Sequence, residues 1–319
     1  MTHTVVIPEI KYPFTGAINM EHAKEVNLIT YEWAASKNIL DPIKLESYND
    51  EKAGYLAARV HHKGDIQDMI TTSEFILLYC ILDEYSDNAK NEMEYKLHSD
   101  EILSIFKKGY TNQTDPIFGA WADWWRQIKE ITNSTWREQF IYNATNCFNT
   151  MVWEVGYRIS DRSPSLHEYR IERQHTVTYL MFDLAEKSNQ NYIPDKIKDE
   201  TFFNMIESAN KIVNWANDLV SLNNELEDGD DHNLIIRIQK ENNVTLNEAI
   251  NKVFLMHNQE VDNYMRFEHE LLTNANKEFK DELKEFALIL RRSIIGFYDW
   301  SEESKRYKTS EKTKEIKSN

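Results

Sequence analysis

Phe75-Ile76-Leu77-Leu78-Tyr79-Cys80-Ile81-Leu82-Asp83-Glu84-Tyr85-Ser86-Asp87 is the stretch on which the fold turns. Its first eight residues are apolar on every side of a helix, so the helix lacks a solvent-facing stripe and belongs inside a bundle. Three acids then fall within five residues. Asp83 and Asp87 are four apart and share a face. Their repulsion is small when exposed and rises beside a buried segment unless a cation compensates. Two readings follow: a solvated helix end, or an oxygen-only site for a hard cation such as Mg²⁺, which also binds substrate phosphates.

The rest of the chain supports long helices. There are 8 Gly and 6 Pro in 319 residues, well below the usual combined share of roughly 12%, which argues against a sandwich, a barrel or a collagen. Hydrophobic residues at 41% and aromatics at 12% supply a core and exclude global disorder. Ile206, Ala209, Val213 and Ala216 recur at helical steps, as do Phe286, Ile289, Leu290 and Ile294. The fold class is all-α. Pro8, Pro13 and Gly16 mark residues 1–18 as an irregular N-terminal arm, and Asn19 caps a first helix through Ala23, Val26 and Ile29. Residues 19–307 read as one all-α domain, and 308–319 as a disordered polar tail. Breaks are expected at 161–165, with Ser163 as cap and Pro164 at the first helical position, at 189–195, and at the acidic 227–233.

Lys and Arg number 37 against 53 Asp and Glu, a net charge of −16. Such a field repels nucleic acid and anionic membrane surfaces. Cys80 and Cys147 cannot build a disulfide framework, which points to a reducing compartment. The longest apolar run is far short of the ~20 residues of a spanning helix, and no signal peptide is visible. A cytoplasmic protein is expected, with no nucleic-acid partner and no stable membrane insertion; a homodimer is the one macromolecular assembly left open.

A second polar cluster is Asn217-Asp218-Leu219-Val220-Ser221-Leu222-Asn223-Asn224-Glu225. Asn217, Ser221 and Glu225 lie at i, i+4 and i+8 and drift by only about 80°, so they form one stripe. An amide oxygen, a hydroxyl and a carboxylate are again a hard-cation set; a polar helix face running into an acidic loop is the plainer alternative.

Together the two clusters resemble the class I terpene synthases of the microbial, single-domain type. Asp83–Asp87 looks like that family's aspartate-rich metal motif. Asn217–Glu225 looks like its Asn-Asp-x-x-Ser-x-x-x-Glu motif and matches at every defining position. Residues 228–235 (DGDDHNLI) and, near the end, Trp300 and Arg306-Tyr307 resemble further signatures. Residues 164–177 (PSLHEYRIERQHTV) resemble the diphosphate-sensing segment, with Arg173 at the sensor position, Thr176 at the linker and Val177 at the effector. Arg170 competes with Arg173, and the glycine usual after the threonine is absent. Asn224 stands where many relatives carry a basic residue that touches diphosphate.

The resemblance implies a helical bundle around a central apolar cavity. It implies several Mg²⁺ ions held by Asp83 and Asp87 on one wall and by Asn217, Ser221 and Glu225 on the other. Arg173, Arg306 and Tyr307 would bind the diphosphate of a linear prenyl substrate, most simply farnesyl diphosphate. The reaction is ionisation followed by cyclisation to a hydrocarbon or alcohol. Fixed cations stabilise the leaving group as its charge grows. Aromatic faces, with Tyr79 and Trp300 first and Trp153 and Phe75 next, could stabilise the carbocation. Cys80, small and one turn before Asp83, would leave space beside it. The loop around Gly229 could order over the mouth.

The alternatives are a diterpene synthase using geranylgeranyl diphosphate, a chain-elongating prenyltransferase and a non-catalytic helical scaffold. The second motif favours a cyclase over a prenyltransferase, whose motifs are aspartate-rich on both walls. A carboxylate-bridged di-metal bundle needs Glu-x-x-His twice, and only Glu172–His175 is found.

Overall fold

Helix α4 (Ile66–Asp87) is the axis about which the other elements pack. The Asp65 carboxylate caps it by accepting from the Gln67 N–H. Met69, the whole of 71–78, Cys80 and Leu82 are buried. Its buried hydroxyls are all occupied: Thr71 Oγ1 donates back to the Gln67 carbonyl at 3.1 Å, Ser73 Oγ accepts from Thr30 at 2.7 Å, and Thr72 Oγ1 meets His61 Nε2 at 2.9 Å. The apolar run therefore sits where its composition demands.

The computed structural model describes residues 5–61, 64–187 and 197–308, and among these no strand is present. Around α4 lie α1 (Met20–Lys37), α3 (Ala53–Val60), α6 (Pro116–Ile131), α7 (Ser134–Ile159) and α9 (Thr178–Glu186). Helix α2 (Pro42–Asn49) covers α1, and α5 (Glu92–Lys108) packs on α6 and α7. The opposite side is α10 (Glu200–Val220) laid along α13 (Leu246–Asn274), with α14 (Lys280–Glu303) bridging back to α3 and α9. Short helices α8 (Leu166–Glu172), α11 (Leu222–Asp228) and α12 (Leu234–Asn242) join these parts. No helix among the described residues is long and apolar enough to cross a membrane.

The densest packing lies behind α4. Trp121, Trp124 and Trp125 of α6 are fully buried against Phe75, Phe106 and Phe140, with ring centroids 4.8–6.1 Å apart. Trp124 Nε1 donates to the Thr71 carbonyl at 2.8 Å, which ties the aromatic layer to α4. This rigid back wall leaves the cavity on the other side of α4.

Asn19 caps α1 as expected, its side chain accepting from the Glu21 and His22 N–H groups. The break at 161–165 is differently built. The cap of α8 is Ser165, and Pro164 stands before it. A capping box decides this: Ser165 Oγ accepts from the Glu168 N–H while Glu168 Oε2 accepts from the Ser165 N–H at 2.9 Å. A cap at Ser163 would place Leu166 three residues on, with no side chain to reciprocate. The arm is irregular from 5 to 19 yet anchored, with Ile10 buried and the Tyr12 hydroxyl 3.1 Å from His257 Nε2. Both cysteines are buried and free. The expected break at 189–195 and nearly all of the polar tail lie outside the described residues.

Glu74 is a charge misplaced for stability. Its side chain is buried beneath Gln127, whose Nε2 donates to it at 3.0 Å, and burial pushes its carboxyl up to about 7. A raised carboxyl binds its proton more tightly in the folded than in the unfolded chain. Its contribution is therefore full below about 4.5 and is lost as pH rises through about 7. Glu74→Gln should leave the melting temperature almost unchanged at pH 4.5 and raise it at pH 8, by about 3 kcal/mol of stability. Thermal melts of both proteins across this range check it.

Candidate active site

A cavity of about 940 Å³ opens between α4, α7 and α9 on one side and α10 and α14 on the other. Phe75, Tyr79 and Cys80 of α4, with Met181, Val213 and Phe297, line its depth. Its mouth is polar. Asp83 and Asp87 reach it as α4 emerges from the core, and Asn217, Ser221 and Glu225 reach it from the facing wall.

The facing wall is one stripe carried across a bend. Helix α10 ends at Val220, Ser221 is its C-cap, and α11 follows at once. The Ser221 hydroxyl donates back to the Asn217 carbonyl at 2.7 Å, and Glu225 N–H still bonds the Ser221 carbonyl at 3.1 Å, so the three side chains keep their common face. Asp218, on the other face, is fully buried and holds Arg173 at 2.7 Å and the Tyr169 hydroxyl at 3.1 Å. Glu225 accepts from Asn233 Nδ2, and burial, with the Asp218 charge next, pushes its carboxyl up to about 8.

Between α8 and α9 the chain makes a 3₁₀ turn, Arg173–His175, and an extended Thr176. The turn aims Arg173 at the facing wall: Nη2 bonds Asn217 Oδ1 at 2.6 Å as well as Asp218, and Nε is buried with no partner. Thr176 and Thr178 both donate to Asn214 Oδ1 and pin the turn, which brings Val177 to the cavity wall. Arg170 is exposed and faces a separate, shallower groove. The geometry thus puts Arg173, and not Arg170, at the cavity.

The last element is the 3₁₀ turn Lys305–Tyr307. Arg306 is ion-paired to Asp83 and lies 3.6 Å from Glu51 Oε2, while the Tyr307 hydroxyl accepts from Asn217 Nδ2 at 3.0 Å. This strap is held by the turn between α2 and α3: the Glu51 carbonyl accepts from Trp300 Nε1 at 2.7 Å and from Ser304 Oγ at 2.9 Å. Trp300 lines the cavity and meets Tyr307 edge-on, centroids 5.6 Å apart. Tyr79 lines it too, stacked on Phe75, its hydroxyl 3.8 Å from Cys147 Sγ. Trp153 is the exception among the expected aromatics. It packs on Tyr157 and His232 and does not line the cavity.

Across the cavity lining, nine carboxylates face four guanidinium groups and no lysine. A model of the terpene synthase family 2 C-terminal metal-binding region matches residues 74–263. The chain belongs to the terpene synthase family. It is a terpene synthase, and terpene synthases are lyases. It is 26% identical to a (+)-T-muurolol synthase, described as (2E,6E)-farnesyl diphosphate cyclizing, from Roseiflexus castenholzii, over 96% of this chain and 95% of that one. Identity is 24% with a germacrene A synthase of Nostoc punctiforme, over 97% of both. Among solved structures, an α-eudesmol synthase superposes with a TM-score of 0.81 at 18% identity, covering 92% of this chain and 98% of the other. A hedycaryol synthase does so with 0.82 at 18% identity, covering 94% and 99%. These structures share the helical bundle.

Several residues of the synthase's site lie outside the two metal motifs. Glu51, Glu154, Arg158 and Asp230 all line the cavity, and Tyr169 braces it from behind. Arg158 lies a helical turn after Glu154, but nothing in the local pattern says that this face meets α4 some 70 residues earlier. The Tyr169 hydroxyl bonds both Asp218 oxygens and the His232 carbonyl. Tyr169→Phe should cost about 1 kcal/mol or more, because it removes one donor from a buried carboxylate that Arg173 and the Leu234 N–H still hold, and should loosen Arg173. Chemical denaturation, with Asp218→Asn/Tyr169→Phe expected to recover part of the loss, checks it.

Proposed function

We propose that this terpene synthase ionises a linear prenyl diphosphate, farnesyl diphosphate first, and cyclises the allylic cation within the cavity. One observation carries the reading: a cavity of about 940 Å³, apolar in its depth, whose mouth gathers nine carboxylates and four arginines. A cavity near the top of the ~300–1,000 Å³ range of ligand sites suits an extended hydrocarbon. A mouth with that excess of acid repels an anion unless divalent cations reverse its sign. Two relatives whose names give farnesyl diphosphate as their substrate support the fifteen-carbon chain. The cavity volume keeps a twenty-carbon substrate as the second reading.

The donors fit a hard cation. Asp83 and Asp87 on one wall, and Asn217, Ser221 and Glu225 on the other, offer only oxygen. Among the described residues no three His, Cys, Asp or Glu side chains gather to hold an ion alone, which suits ions shared with the oxygens of an anion. The high carboxyl of Glu225 marks a group short of positive partners. When bound, Mg²⁺ would neutralise the diphosphate and polarise its bridging oxygen.

The chain's own residues do the rest. Arg173, held by Asp218 and Asn217, and Arg306, held by Asp83 and Glu51, turn guanidinium donors to the leaving group. As the carbon–oxygen bond breaks, its electron pair goes to diphosphate, and these donors bind the growing charge best in the transition state. Tyr79, Phe75, Phe297 and Trp300 exclude water and present π faces to the cation, worth about 0.5–2 kcal/mol each. A distal double bond then closes the ring, and loss of a proton or capture of water ends the sequence.

The deciding experiment incubates the protein with Mg²⁺ and the ten-, fifteen- and twenty-carbon diphosphates, with extracts read by gas chromatography and mass spectrometry. Cyclic fifteen-carbon products are expected; no diphosphate release from any of the three would overturn the reading. Glu225→Gln removes the one formal charge among the ligands proposed on its wall. It should lower turnover at limiting Mg²⁺ by at least the ~10–100-fold that even outer partners of a metal cost, with the helical circular-dichroism spectrum unchanged. Arg173→Ala should lose about 10²–10³ in kcat, the usual cost of one preorganised donor, and Arg170→Ala almost nothing. Parallel steady-state kinetics on the two variants separate them.

A further inference from the structure

We infer that Arg158 is a third diphosphate-binding arginine of this synthase, an inference that rests on the diphosphate chemistry proposed above. Of the four cationic side chains that line the cavity, Arg173 and Arg306 belong to the recognised segments, and Arg162 is exposed, its Nε spent on Ser160 and its plane 5.2 Å over the Tyr157 ring. Arg158 remains. It stands in the last turn of α7, mostly buried, with its guanidinium between the two walls. Nη2 lies 3.1 Å from Asp87 Oδ1 and 3.5 Å from Glu154 Oε2, Nε 3.3 Å from Asp230 Oδ2, and Nη1 3.2 Å from Ser86 Oγ.

The arrangement resembles a donor held in reserve. Asp230 also serves His232, whose Nδ1 and backbone N–H both meet its Oδ1, and Glu154 takes only one of the two N–H groups of Nη2. The short contact of Nη2 is with Asp87, an oxygen proposed for the cation. If a cation took that oxygen, Nη2 would keep its bond to Glu154 and its second N–H would lose its acid partner, free for an anion brought with the cation. Buried donors are rarely left unpaired, and a guanidinium matches phosphate oxygens better than any other side chain. The α10–α11 stripe itself carries no cation among the described residues: Asn217, Ser221, Asn224 and Glu225 line the cavity from it, and Asn224 Nδ2 is engaged with the Arg306 carbonyl. Arg158 supplies from α7 the positive charge that position 224 lacks.

The test is calorimetric titration of the full chain with inorganic diphosphate at saturating Mg²⁺, which reads binding without turnover. Arg158→Met should weaken diphosphate binding by about tenfold or more, the loss of one charge-assisted contact, and Arg158→Lys should recover part of it. Two further variants separate contact from tether and from net charge. Asp230→Asn cuts the loop tie, keeps the arginine and takes one acid from the mouth; it should bind diphosphate no more weakly than the wild type. Arg158→Met/Asp230→Asn restores the net charge and should stay weak. It also serves if the single Arg158→Met variant, with three unpaired acids, fails to fold. Wild-type affinity in the double variant, or an Asp230→Asn loss equal to that of Arg158→Met, would overturn the inference and leave Arg158 a tether. Absence of Mg²⁺-dependent diphosphate binding in the wild type would instead strike the proposed function itself.

Discussion

The burial of α4 on all sides is the constraint from which the site follows. A helix so buried carries charge at a cost, which Glu74 shows by its raised carboxyl, and its closely spaced acids stand where it emerges from the core. Asp83 comes directly after the apolar run, and Asp87 one turn later. The tryptophan layer of α6 closes the back of α4, and α7, α9, α10 and α14 can only stand off its front. The same helix thus sets the depth of the chamber with Phe75, Tyr79 and Cys80, and its rim with two carboxylates.

The rim is organised by charge neutralisation. Each acid proposed on α4 has its own guanidinium: Asp83 has Arg306 and Asp87 has Arg158. On the other wall Arg173 spans Asn217 and Asp218. These pairs neutralise only part of the acid at the rim, and they place Arg158, Arg173 and Arg306 beside the oxygens proposed for a cation. Cation and anion then bind as a set, because each rearranges the partners of the other.

What was legible in the sequence is what helical periodicity can carry. Asp83 and Asp87, and Asn217, Ser221 and Glu225, stand at steps of four, so a pattern of one helix face reveals them. The Arg173 turn was legible through its neighbours, although only the structure separates it from Arg170, three residues earlier and therefore on nearly the same face of an uninterrupted helix. The 3₁₀ turn breaks that equivalence. Arg158 and Glu51 were not legible, and Asp230 and Tyr169 were legible only as members of quoted segments, since each acts across a contact that no local spacing encodes. Ser163 and Ser165 show the same limit at short range: Pro164 favours the first as cap, and the reciprocal bonds with Glu168 select the second.

The hold of the α2–α3 turn on residues 300–307 bears on when this protein becomes active during its synthesis. The Glu51 carbonyl waits nearly 250 residues for Trp300 and Ser304. Until that late segment has left the ribosome and docked, the chamber lacks Trp300, Arg306 and Tyr307, so one whole side is open to water. The chamber is therefore complete only when the polypeptide has joined its early and late parts: its enclosure is a property of long-range closure and not of either motif alone.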